Sequence, residues 1–221
     1  MQRRNLILGG VALAGLGGWA LTRNGSNLPA DPLMAANAQA ADVDTSMIKD
    51  MILGNPDAPV EVIEYASFTC PHCANFHEQL MPQVKKDYID SGKVKFIYRE
   101  VYFDRFGLWA SMIARCGGEM RFFGMADLIY EKQRDWTASG DPATIVEALR
   151  KLAKTAGYSD EMLDECLNDA EMAQTLVGWY QANAERDGVR STPTFLINGE
   201  KLETSWATGL IPALDAAVGE T

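Results

Sequence analysis

The spacing of apolar residues changes several times along the chain, and each change predicts an element. Nine residues, 60-VEVIEYASF-68, are rich in β-branched and aromatic side chains and are short enough for a buried strand. From Cys70 onward, Cys73, Phe76, Leu80, Val84 and Tyr88 recur at intervals of three and four. That spacing predicts one apolar helical face running to a stop at Ser91-Gly92, kinked at Pro82, which lacks an N–H donor and crowds the preceding turn. A second strand is predicted at 93-KVKFIYREV-101, completing a β-α-β unit of right-handed crossover.

Between Phe103 and Gly188 no strand-like run occurs. Helices are predicted near 107–116, 119–133, 142–156, 160–168 and 170–187; the third is the best marked, with Asp141 as cap, Pro142 in the first helical position and Gly157 after its end. The strand signal returns in 194-TFLI-197, and the Asn198-Gly199 turn leads into 200-EKLET-204 as a hairpin. A helix near 208–218 follows. The order predicts an α/β fold whose halves, 59–102 and 189–221, form one body with residues 103–188 inserted as an all-helical domain. Residues 41–58, mixed in polar, Gly and Pro residues, read as a lead-in loop.

The first forty residues read as a targeting segment. Arg3 and Arg4 precede an uncharged apolar run from Leu6 to Leu21, which contains five glycines and is shorter than the roughly 20 residues of a membrane span. Export is predicted. Ala38-Gln39-Ala40 has the small-x-small form of a cleavage site but lies far beyond Leu21, so the segment is either a cleaved signal peptide or an N-terminal anchor in the inner membrane. The twin arginine of 2-QRRNLI-7 matches a folded-export signal only poorly. The 221-residue chain has 20 Lys+Arg against 30 Asp+Glu; without residues 1–40 the balance is 17 against 29, or -12. Such a surface repels nucleic acid, which is excluded as a partner class.

The chemistry lies in 67-SFTCPHCANF-76. Proline favours the first helical position, so Pro71 makes Cys70 the N-cap, its sulfur facing the unpaired N–H groups and positive pole of the helix start. His72, when protonated, adds a second positive group. All of these favour a thiolate and predict a strongly depressed pKa for Cys70. Cys73, one turn on and on the apolar face, is expected to be buried and less reactive, so Cys70 is the sulfur attacked and Cys73 the resolving thiol. A stabilised thiolate stabilises the reduced pair and makes the disulfide an oxidant. No cofactor is called for. Two other readings compete. A structural staple gains little from so short a loop. A metal-binding carrier using Cys70, Cys73 and His77 is possible along one helical face, although no second CxxC exists and His72 and His77 are the only histidines. Either histidine can also be an ordinary solvent-facing residue.

With these features the sequence resembles the DsbA-like thiol-disulfide oxidoreductases of the thioredoxin superfamily over roughly residues 54–221. The strand leading into Cys70-Pro71-His72-Cys73, the Thr192-Pro193 pair before a strand and hairpin, and the helical block between the halves carry the resemblance. It implies a thioredoxin-like fold with an inserted all-helical domain, and a cis Pro193 beside the CPHC loop, where Thr192 offers its backbone to a substrate peptide as an added strand. It implies reduced exported proteins as substrates in the periplasm, and a DsbB-like membrane partner that passes electrons to quinone. Glu64, six residues before Cys70, matches the family's acid beneath the active site, where a buried carboxylate shuttles protons or tunes the thiolates; the other reading is an exposed edge carboxylate like Glu61. The resemblance departs at Thr192, since threonine also precedes this proline in the disulfide isomerase branch. Against an isomerase, residues 41–58 are too few for the appended dimerisation domain of the bacterial isomerases. Cys116 and Cys166 fall in predicted helices of the insertion. An oxidising compartment favours a structural disulfide between them, which would contribute about 4 kcal/mol in the chain-entropy model; the alternative is two free buried cysteines.

Overall fold

The computed structural model describes Leu33 and residues 43–219. Arg3, Arg4, the Leu6–Leu21 run and Ala38-Gln39-Ala40 lie outside the described residues, and no helix within them is long and apolar enough to cross a membrane. Five strands are described: β1 (Met51–Leu53), β2 (Val60–Ala66), β3 (Val94–Glu100), β4 (Thr194–Ile197) and β5 (Glu200–Lys201). They form one sheet in the order β1-β3-β2-β4-β5. β2 and β3 are parallel from Val60↔Val94 to Ala66↔Glu100, while β4 runs antiparallel to β2 and β1 antiparallel to β3. The parallel centre is covered on both faces, so β2 and β3 are buried at nearly every position without alternation, the charged Glu64, Arg99 and Glu100 included.

The lead-in loop expected over 41–58 contains β1, a correction to the sequence reading. Met51 is buried opposite Tyr98 and Ile52 is exposed. Three residues closed by Gly54 are too short to display a period. The single kinked helix expected after Cys70 is also corrected. It breaks at Leu80 into α1 (Pro71–Gln79) and α2 (Met81–Val84), followed by a π-helical turn over Lys85–Ile89. Pro82 cannot donate to the carbonyl four residues back and its ring clashes there, so the helix stops and restarts.

Between β3 and β4 the chain is wholly helical: α3 (Arg105–Cys116), α4 (Glu119–Glu131), α5 (Gln133–Thr137), α6 (Pro142–Thr155), α7 (Asp160–Asn168) and α8 (Ala170–Arg186). Asp104, Asp141, Ser159 and Asp169 cap α3, α6, α7 and α8 by accepting backbone N–H bonds. The helix expected over 119–133 ends at Glu131; a break at Lys132 starts α5, and Gln133 turns into the interior. Only Glu200 and Lys201 of the expected 200–204 strand pair with β4. The chain then turns into α9 (Trp206–Gly219), packed so closely that a Cβ on Gly209 would collide with the Thr204 side chain. One large apolar cluster joins the sheet to the helices, with Trp109, Phe68, Phe76, Phe122 and Trp136 buried in it. Cys116, at the end of α3, is bonded to Cys166 in α7, with Cα atoms 5.8 Å apart.

Candidate functional site: a paired cysteine at a helix start

β2 ends at Ala66, and the loop that follows delivers Cys70 to the start of α1. Cys70 is the N-cap, in extended conformation, and Pro71 opens the helix. Gln133 reaches in from α5 and donates to both the Phe68 carbonyl (2.8 Å) and the Cys70 carbonyl (2.9 Å). Thr69 donates to Asp104, the residue that caps α3, at 2.8 Å. Two elements of the helical block thus clamp the loop from separate directions.

The two cysteines are not bonded to each other, and burial separates them: Cys70 is 9% exposed and Cys73 fully buried. The Cys70 pKa falls from 9.0 to about 5. The Cys73 thiol beside it lowers it most, the Thr192 side chain and the backbone N–H groups of Cys73 and His72 add to the effect, and burial opposes them. The Cys73 thiol moves up, first because it is buried and then because Cys70 and Glu64 sit near it with negative charge. Thr192 and Pro193 are joined by a cis peptide, and the Thr192 carbonyl lies 3.5 Å from Cys70 Sγ. That carbonyl can accept only from the neutral thiol, which by itself would favour the thiol. The lowering comes instead from the Thr192 side chain, whose hydroxyl is buried without a hydrogen-bond partner of its own.

His72 is solvent-exposed, and it acts on Cys70 through its backbone N–H. His77 is neither solvent-facing nor turned to the sulfurs. Its side chain is 4% exposed, and Nε2 lies 2.9 Å from Oε2 of Glu64, which is fully buried. Tyr130 stacks on the His77 ring at 4.2 Å and 18°, and the Tyr130 and Tyr98 hydroxyls share a 2.6 Å hydrogen bond. Among the described residues no three metal-binding side chains come together, so the Cys70, Cys73 and His77 arrangement does not form. The sequence reading missed the Glu64–His77 pair and the Gln133 clamp. His77 stands four residues after Cys73, one turn along the same helical face, and that spacing is the one signal that could have found it. Gln133 left no such signal.

A thiol held neutral against a neighbour held ionised is an arrangement suited to thiol-disulfide exchange. A thioredoxin family profile matches residues 46–214. The chain belongs to the DsbA-like thiol-disulfide oxidoreductases. The crystal structure of Wolbachia pipientis α-DsbA1 superposes with a TM-score of 0.71 at 26% identity, covering 79% of this chain and 93% of that one. A protein-disulfide isomerase from Novosphingobium aromaticivorans gives a TM-score of 0.68 at 26% identity, over 76% of this chain and 97% of that one. A Rickettsia bellii protein named "Putative protein-disulfide oxidoreductase" is 33% identical over 173 residues, 78% of this chain. The chain spans 66% of that relative and 62% of two other Rickettsia relatives, just under two thirds of their length. The likeness to the DsbA-like structures takes in both the sheet and the helices between β3 and β4.

Proposed function

We propose that this protein introduces disulfide bonds into exported proteins by dithiol-disulfide exchange at Cys70 and Cys73, working in the periplasm after export directed by residues 1–40. The observation that carries this reading is the opposed pair of thiols, Cys70 drawn down to about 5 and Cys73 pushed up. In the oxidised form a substrate thiolate attacks Cys70, the outer sulfur. The Cys70–Cys73 bond breaks, its electron pair stays on Cys73, and Cys73 takes a proton because its thiolate is strongly disfavoured. A second substrate thiolate then attacks the substrate sulfur of the mixed disulfide. Cys70 departs as a thiolate, a good leaving group at its lowered pKa. The substrate has lost two electrons and the protein has gained them, and a DsbB-like membrane partner linked to quinone removes them.

At pH 7 a fall from 9.0 to about 5 favours the reduced form by about 2.7 kcal/mol, since only the two units between pH 7 and 5 act fully. That raises the reduction potential by about 60 mV over an unperturbed pair. Substrate docking is assigned to Thr192 and Pro193, and Pro193 lines a cavity of about 380 Å³ together with Arg190, Ser191, Ser205 and Trp206. One observation favours disulfide isomerisation as a second reading: threonine, rather than valine, precedes Pro193.

The oxidase reading is tested at the reduction potential. Equilibration of the Cys70–Cys73 pair with glutathione is expected to give a value toward the oxidising end, about -120 to -180 mV; a value near -270 mV would sink the oxidase reading.

A further inference from the structure

His77 is absorbed by neither the thiolate chemistry nor the docking surface, yet its burial beside Glu64 is the most unusual feature beneath the cysteines. A buried ionisable pair is costly unless its remaining polar atoms are satisfied. Here Glu64 Oε1 and His77 Nδ1, the atoms on either side of the 2.9 Å contact, have no protein partner. The stacked Tyr130 ring and the edges of Phe76 and Tyr98 fix the orientation of the imidazole. His77 also lines a cavity of about 380 Å³ bounded by α1, α2 and α4, whose other walls include Met81, Lys85, Phe123, Asp127 and Tyr130. This cavity shares no residue with the one beside Pro193.

We propose that His77 is a proton-relay residue, passing the proton of Cys73 between Glu64 and the cavity behind α1, away from the substrate-docking face. The inference rests on the exchange reading above. An imidazole suits the task because it accepts a proton on one ring nitrogen while yielding one from the other. The charged and titratable groups facing His77 are consistent with this role. Glu64 approaches from β2, the neutral phenols of Tyr98 and Tyr130 from β3 and α4, and Lys85 and Glu78 from the cavity rim. Asp127 faces it from α4, its carboxyl pushed up by burial and drawn partly back by His77 and Lys85.

The relay serves the internal resolution of a disulfide on Cys70. When a disulfide on Cys70 is resolved internally, the Cys73 S–H bond breaks and its proton goes to Glu64. The Cys73 sulfur bonds to Cys70, and the partner sulfur leaves with its electron pair as a thiolate. His77 takes the proton from Glu64 and releases one to water in the cavity. In substrate oxidation the same path runs backwards, delivering a proton to Cys73 as it leaves. His77 touches neither sulfur in this scheme, so it is a positioning residue acting through Glu64.

Reaction of the reduced protein with glutathione disulfide separates the steps. Cys70 first forms a mixed disulfide, and Cys73 then closes the ring; acid quenching and mass spectrometry follow both. His77→Gln keeps a hydrogen-bond donor toward Glu64 but cannot relay. It is expected to leave formation of the mixed disulfide unchanged and to slow closure by about tenfold or more, within the range of lost acid-base assistance. In His77→Ala, added imidazole is expected to restore closure in proportion to its concentration. Closure within about twofold of wild type in His77→Gln would overturn the proposal, as would equal slowing of both steps with no imidazole rescue, the mark of a packing role. A wild-type protein that never closes the Cys70–Cys73 bond would instead overturn the parent reading.

Discussion

Replacing Cys70 by serine in the reduced protein should cost stability to a degree set by pH. Serine keeps the size of the side chain and cannot ionise in this range. The thiolate is favoured in the fold, with a pKa of about 5 against 9.0 for the unperturbed thiol. A lowered folded-state pKa adds stability that is complete above the unfolded value and disappears as pH falls through the folded one. The relevant window therefore runs from about 9 down to about 5. Wild type should exceed Cys70→Ser by a pH-dependent margin of about 5 kcal/mol at pH 9, about 2.7 at pH 7 and under about 0.1 at pH 4. These are upper figures, since water at the outer side of the sulfur screens part of the interaction. For a domain of this size the pH 7 margin corresponds to about 5 to 10 °C in Tm. Urea unfolding of both proteins in a non-thiol reductant, from pH 4 to 7, gives the difference directly, and thiolate absorbance near 240 nm gives the titration itself. A wild-type-minus-variant difference that stays flat to within about 0.5 kcal/mol across that range would refute the thiolate argument, as would an absorbance midpoint above about 7.

Gln133→Ala leaves the Phe68 and Cys70 carbonyls buried without their donor, and thermal unfolding should show a loss of about 1 to 3 kcal/mol; a loss below about 0.5 would show that the clamp is not needed. Arg115→Met strands Glu100, which is 1% exposed and held by Arg115 at 2.5 and 2.7 Å, so urea titration should report a loss of about 3 to 5 kcal/mol. A loss below about 1 kcal/mol there would show that Glu100 does not depend on this partner. The double variant Cys116→Ala with Cys166→Ala opens a loop of separation 50, and chain entropy predicts about 4 kcal/mol less stability by urea titration, with the Cys70 absorbance midpoint unmoved; a shifted midpoint would show that this disulfide reaches the site.

The sequence was most informative where one residue controls its own neighbourhood. Pro71 opens α1 and leaves Cys70 as its cap, and Asp141, Pro142 and Gly157 bracket α6; both sets of signals are local and survive folding unchanged. Pro82 was also legible, but whether the helix would bend or break depended on what Leu80 and Val84 could pack against, which is tertiary information. β1 was invisible because an edge strand of three residues takes its stability from β3 and carries no pattern of its own. In the site, the two cysteines could be ranked from helix geometry alone. His77 could not be placed, because an imidazole facing water and one facing a carboxylate look alike in a sequence, and the difference lies in Tyr130 stacking on it from 53 residues away. Gln133 depends on a helix break that the apolar period does not encode.

The shortness of the outermost strands has a consequence for a protein whose proposed clients are unfolded. Such clients expose extended segments able to add to any open sheet margin. Here one margin is the three-residue β1, preceded by Lys49 and Asp50, and the other is the two-residue β5, both of whose residues are charged and exposed. Neither offers enough consecutive backbone partners to hold a passing chain, and the flanking charges discourage a second copy from stacking there. Under the proposed function, both margins leave the ground around Thr192, 3.5 Å from the Cys70 sulfur, as the place where a client segment would be held and then let go once its sulfur has reacted.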